Sequence, residues 1–185
     1  MPDVGWRPQE HVELVTFAES PGIPRELAAP LLERGVPKAM LGLYRAANAL
    51  TLLEGSGGRQ LVCFGSVAYS QRACLDPQTG AVVALMDTRR GGDNEVVGVV
   101  NSSLEQFIAS VSAVLNRYPF DRPQAKGESD ESYLDRTSAE LDRAADDLKK
   151  ALSAIDPAAM EDPCRFWLDF IDDVQMGDYS TDVDA

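Results

Sequence analysis

The chain is nearly without histidine: His11 is the one example in 185 residues. A lone histidine with no positioned partner is a poor start for general acid–base catalysis, so His11 is expected to be a surface or packing residue. Cysteine is scarce and odd in number, at Cys63, Cys74 and Cys164. That excludes a disulfide framework and fits a reducing compartment, so the expected location is the cytoplasm. No apolar run approaches the roughly 18 residues of a membrane span. The start MPDVGWRPQEHVEL lacks the basic-then-apolar pattern of a signal peptide. Basic residues are few, 17 against 30 acidic ones, giving a net charge of −13. A field of that sign repels nucleic acid and anionic lipid and attracts basic proteins.

The charge is unevenly spread. Residues 1–127 hold 13 acidic and 12 basic side chains, whereas residues 128–185 hold 17 acidic and 5 basic. Solubility alone could account for an acidic surface, but its confinement to the last third also suits a docking face.

Hydrophobic periodicity divides the chain into an α+β order. HVELVTF has a short-strand pattern, and RELAAPLLER reads as a helix distorted by Pro30 and stopped by Gly35 and Pro37. ALTLLEG and QLVCFGS are joined through Gly55–Gly58, and ACLDPQTGAVVALM holds two apolar runs around a turn at Asp76–Gly80. EVVGVVN follows a loop containing Arg89, Arg90, Gly91 and Gly92. Short strands so close together predict an antiparallel meander rather than βαβ units.

After Asn101 the period lengthens. Ser102 or Ser103 can cap a helix lined by Leu104, Phe107, Ile108, Val111, Val114 and Leu115, with Glu105 at capping-box spacing from Ser102. Capping alone accounts for these serines. Residues 120–130 are polar and rich in breakers, and read as a linker between an α+β core over 1–119 and C-terminal helices over 131–178 packed on it. A long helix from Glu131 to Ile155 carries Leu134, Leu141, Leu148 and Ile155 every seven residues, with Ser138, Ala145 and Leu152 in the same stripe. A last helix buries Phe166, Trp167, Phe170 and Val174, leaves Asp169, Asp172 and Asp173 outside, and ends at Gly177. Residues 179–185 are expected to form a flexible tail.

Several of these segments together resemble the immunity proteins of the SUKH superfamily, in particular its fourth group. The resemblance rests on ACLDPQTGAVVALM followed by VVNSSLEQFIASV, on RELAAPLLERGVP with Val36 where leucine is usual, and on PCRFWLDFIDDVQMG with its Phe166-Trp167 pair and closing Gly177. It runs in order from about residue 12 to 178. The long acidic helix and the stretch before it depart from the pattern. The resemblance implies an antiparallel sheet with helices around it, no catalytic motif, and a role in neutralising a polymorphic toxin by binding its toxin domain.

Searching the residues for chemistry agrees. The cysteines sit singly in apolar runs, as buried thiols do, and Cys164 has Glu161 and Asp162 nearby to oppose a thiolate. The glycine loops lack the lysine and the strand–loop–helix context of a phosphate cradle. Arg89 and Arg90 make a small basic spot that could meet an anion, and a binding site built there is one alternative. The paired carboxylates lack calcium-loop spacing and read as solvated helix faces. No cofactor or metal is expected. The preferred reading is a non-catalytic immunity protein whose Asp142, Asp146, Asp169, Asp172 and Asp173 meet a basic toxin domain, a nuclease or deaminase, with Tyr179 or a sheet aromatic as an anchor. The alternative is an interaction or scaffold module of the same fold with no toxin partner.

Overall fold

A computed structural model describes residues 12–67, 71–86 and 94–180. His11, the Arg89–Arg90 spot and the last five residues lie outside the described residues. The architecture is α+β, and the described residues form five α-helices and a curled antiparallel sheet of six strands in strict chain order.

The first strand, β1, is only Leu14–Val15, and it pairs with β2, Val36–Pro37, outside the main sheet. Between them lies α1, Arg25–Arg34, with Pro30 inside it. Gly35 ends this helix at φ 70°, and a Cβ there would lie 2.5 Å from the Val15 carbonyl oxygen. Glycine is therefore required both by the backbone angle and by the close approach of β1.

The main sheet runs β3 (Ala39–Met40), β4 (Tyr44–Gly55), β5 (Arg59–Val67), β6 (Gln71–Leu75), β7 (Val82–Met86) and β8 (Glu95–Asn101). Strand β4 begins five residues before the alternating run ALTLLEG, and a register irregularity between Ala46 and Thr51 breaks the period that would have revealed it. The sheet curls until the β4 end meets the β8 start. Ser56 donates its backbone N–H to the Asn94 carbonyl at 3.0 Å, and the Asn94 side chain donates to the Glu54 carbonyl at 2.9 Å.

Curling buries both faces of the central strands. Val62, Phe64, Leu75, Val82 and Ala84 face the helices, while Leu61, Cys63, Cys74, Val83 and Leu85 fill the inside of the curl. Alternating residues thus belong to different cores, which is why these strands read as continuous apolar runs. On the helix side Tyr44, Phe64 and Phe107 meet edge to face, with centroids 5.0–6.3 Å apart.

Helix α2 spans Leu104–Leu115, and its cap is Ser103, whose hydroxyl accepts from the Gln106 N–H at 3.2 Å. The Ser102–Glu105 capping box is therefore not formed, because Ser102 is turned to another partner described below. Residues 120–130 do not hang free: Phe120 and Asp121 are buried, and Arg122 and Glu128 pair with Glu140 and Arg136 of α3, Asp130–Ile155. The Arg136 guanidinium holds the Glu128 carboxyl down to about 2, helped by the Ala125 N–H.

The apolar stripe of α3 is as expected from Leu141 to Leu152. In the first two turns it is rotated by one residue: Tyr133 and Thr137 are buried, while Leu134 is 63% exposed and Ser138 is exposed. A short helix α4, Pro157–Glu161, then precedes α5, Phe166–Met176. Asp156-Pro157 is equally good as a helix stop and as a helix start, so local pattern alone does not separate α4 from the end of α3. Among the described residues, no helix is long and apolar enough to cross a membrane.

Two substitutions separate ring packing from hydroxyl burial. Phe107→Ala is expected to lower unfolding free energy in urea by about 3–5 kcal/mol, as a cavity opens beside Tyr44 and Phe64. Among the described residues the buried Tyr44 hydroxyl has no hydrogen-bond partner, so Tyr44→Phe should preserve or raise stability, by up to about 1–3 kcal/mol in the same assay.

Candidate partner-binding face

The acidic helices are positioned by a buried carboxylate. Asp156, at the α3–α4 junction, is 1% exposed. It accepts hydrogen bonds from Asn101 Nδ2 at 3.0 Å, the Ser102 N–H at 2.6 Å, the Ser102 hydroxyl at 2.8 Å and the Ala159 N–H at 3.3 Å. Burial works against its charge, but the four donors win and hold its pKa below the ordinary 3.8. Trp167 of α5 joins the same knot by donating Nε1–H to the Val100 carbonyl at 2.9 Å. The end of β8, the start of α2, the α3–α4 junction and α5 are thereby fixed to one another. Cys164, in the turn before α5, sits against Gly98 of β8, and its thiol donates to the Val99 carbonyl at 3.4 Å.

From this anchor α5 runs back along α3. Gly177 at its far end lies over Leu141, and Gln175 donates to Asp142 at 2.8 Å. Asp142 and Asp146 are one turn apart on α3, as Asp172 and Gln175 are on α5, so the Asp142–Gln175 bond lays them along one seam. Asp169, Asp172, Asp173 and Met176 follow at helical spacing on the outer side of α5. Helical spacing and this one bond therefore bring all five carboxylates of the sequence reading to the α3–α5 surface.

Their states differ. Asp142, Asp146, Asp169 and Asp172 are exposed, but Asp173 is only partly so, against the expectation that it lies outside. Arg165 reaches both Asp169 at 2.9 Å and Asp172 at 3.0 Å, in ion pairs with more than half of each side chain in solvent. Such pairs contribute at most about 1 kcal/mol and exchange readily with other partners. Partial burial, with Asp178, Asp169 and Asp172 nearby, raises the pKa of Asp173.

Residues 11–173 match the family model of the SUKH-4 immunity protein. The chain belongs to the SUKH-4 immunity protein family. No curated protein and no solved structure matches it.

Three stretches of this SUKH-4 chain that lie far apart in sequence close around one cavity of about 240 Å³. Glu26, Leu27 and Pro30 come from α1, Leu75, Pro77 and Gly80 from the β6–β7 turn, and Ser103, Leu104 and Glu105 from the start of α2. The turn is held by Asp76, fully buried, which accepts from Arg59, from the Thr79 hydroxyl and from the Gln78 N–H at 3.0 Å. Glu105 at the rim pairs with Arg34 at 2.7 Å. Its walls are apolar at Leu27, Pro30, Leu75, Pro77 and Leu104 and polar at Glu26, Ser103 and Glu105.

Sequence reasoning missed the apolar members of the acidic face and misplaced one aromatic. Among the described residues Leu134 and Met176, 63% and 71% exposed, are the most exposed of the large apolar side chains. Leu134 lies two turns before Leu141, where burial passes to Tyr133 and Thr137 instead. Tyr179 is not an exposed anchor, because its ring packs on Phe170 at 5.1 Å between centroids. In the SUKH-4 chain the candidate anchors are therefore Leu134 and Met176.

The two buried or half-buried aspartates give opposite pH signatures. Asp156 has a folded pKa below its unfolded one, so its stabilisation is present above the unfolded value and disappears as pH falls through the folded value. Asp156→Ala should cost about 3 kcal/mol in urea denaturation at pH 7, with the deficit shrinking below about pH 4. Asp173 has a raised folded pKa, so its ionised form opposes folding. Asp173→Asn should raise the melting temperature at neutral pH and have no effect below about pH 3, measured by thermal denaturation across pH.

Proposed function

We propose that this SUKH-4 protein neutralises a toxin domain by binding it, and that the α3–α5 surface makes the contact. Asp142, Asp146, Asp169, Asp172 and Asp173 supply the negative field, and Leu134 and Met176 supply apolar anchors within it. The observation that carries the reading is this combination: among the described residues the two most exposed large apolar side chains, Leu134 and Met176, lie on the same two helices as the five carboxylates. An apolar anchor inside a charged rim is the usual make-up of a protein-binding hot spot.

The partner that fits is a basic protein domain. Enzymes that act on nucleic acid present basic clefts, so a nuclease or nucleic-acid deaminase toxin is the preferred occupant. Steering of opposite charges speeds encounter by about 10–1,000-fold at low salt. The ion pairs of Arg165 do not oppose this role, because exposed pairs re-form with a partner's guanidinium at little cost. No catalysis, cofactor or metal enters the mechanism, and the complex forms in the cytoplasm. The same surface would serve an interaction module with no toxin partner, and a toxin reading frame beside the gene separates the two readings.

Binding to the toxin domain encoded alongside, followed by stopped-flow mixing over a salt series, tests the proposal. The association rate is expected to fall at least about tenfold between 50 and 500 mM salt. Asp142→Lys with Asp146→Lys should slow association, while Met176→Asp should mainly speed dissociation. An association rate indifferent to both salt and charge reversal would overturn the charged seam as the contact.

A further inference from the structure

Strands β5 and β6 set Cys63 directly opposite Cys74. Directly opposed residues of an antiparallel pair have Cα atoms about 4.5–5.5 Å apart. A disulfide takes Cα separations of about 4.4–6.8 Å, a range that ladder spacing falls within. Opposed residues also point to the same face, here the inside of the curled sheet, where both thiols pack among Leu61, Val83 and Leu85. Cys63 lies beside a register irregularity between Cys63 and Gly65, a place where the ladder is weakened and local opening is easiest.

From this geometry we infer that Cys63 and Cys74 form a reversible dithiol–disulfide site, oxidised by a small peroxide that reaches the inside of the sheet. The chemistry balances with hydrogen peroxide as the two-electron oxidant. The Cys63 thiolate attacks one peroxide oxygen, the O–O bond breaks, hydroxide leaves and Cys63 becomes a sulfenic acid. The Cys74 sulfur then attacks the Cys63 sulfur, an S–S bond forms, and the S–O bond breaks. The proton from Cys74 leaves with the hydroxyl as water. A dithiol reductant returns both thiols by exchange.

The environment divides the two roles. A hydrogen bond from Cys74, opposed by burial and helped by Gly65 and Arg72, lowers Cys63 to about 7. The same hydrogen bond and burial push Cys74 far upward. Cys63 is thus the attacking thiolate and Cys74 the resolving thiol. Cys164 is the internal control. It lies against β8, two strands from Cys74, roughly 10 Å away at normal strand spacing. Burial pushes its thiol up to about 11.

The sequence makes the test direct, because Arg72 lies between the two cysteines. Trypsin therefore leaves Cys63 in peptide 60–72 and Cys74 in peptide 73–89, which stay together only if a disulfide joins them. The native full chain is treated with hydrogen peroxide, alkylated under denaturing conditions and digested without reductant. The expected product is the linked pair of peptides, lost on treatment with dithiothreitol and formed at least about ten times faster than any oxidation of Cys164 at pH 7.5. Its rate should rise through about pH 7, the region where Cys63 ionises. In Cys74→Ser, dimedone should trap a sulfenic acid on Cys63. If that variant does not fold, Cys164→Ser should still give the full yield of linked peptide. Alkylation of both cysteines as free thiols, a bridge to Cys164, or oxidation of Cys63 to sulfinic acid with no cross-link would each overturn the inference. The toxin-binding proposal is untouched by any of these outcomes.

Discussion

The Asp156 carboxylate is where the helical and sheet parts of this protein are joined. Its four donors come from Asn101, Ser102 and Ala159, so the end of the last strand, the start of α2 and the start of α4 converge on one buried charge. A buried carboxylate without donors would be expensive, and donors without the carboxylate would be orphaned. Each side therefore enforces the other, and the geometry of the joint is unique. Trp167 lies at the same spot and carries α5 with it. Everything on the acidic face inherits its position from this joint.

The sheet adds a second constraint, because its curl leaves no solvent-facing side on the middle strands. Leu61 and Val62, or Val82 and Val83, are neighbours in sequence yet lie in opposite cores. The helices cover only one of these faces. The other is covered by the sheet itself, closed at Asn94 against Glu54 and Ser56. Pairing of β5 with β6 sets two cysteines opposite each other in the inner core, while the helical layer presents charge outward.

Membership of the SUKH-4 immunity family fits a division of labour within the chain. The core is built from apolar runs with nearly balanced charge, while the excess of carboxylates rides on α3 and α5. Burial first, and then repulsion from Asp178, Asp169 and Asp172, raises the pKa of Asp173.

Much was legible from the residues alone, and the places where reading failed share a cause. The meander, α2, the main body of α3 and the Gly177 stop follow from local period, turn chemistry and caps, which act over a few residues. The segments of the family resemblance were likewise local. What could not be read locally depended on which neighbour reached a residue first. Ser102 looked like a capping-box residue until Asp156, 54 positions away, took its N–H and hydroxyl. Leu134 holds its heptad position, but at that end of α3 burial passes to Tyr133 and Thr137. Tyr179 looked free until the chain reversal after α5 laid it on Phe170. The sequence by itself determined the elements, their order and the acidic surplus of the last third. Only the tertiary structure decided which carboxylates share a seam, which apolar residues stand uncovered and which thiols face each other, because those depend on contacts between distant residues that no local pattern encodes.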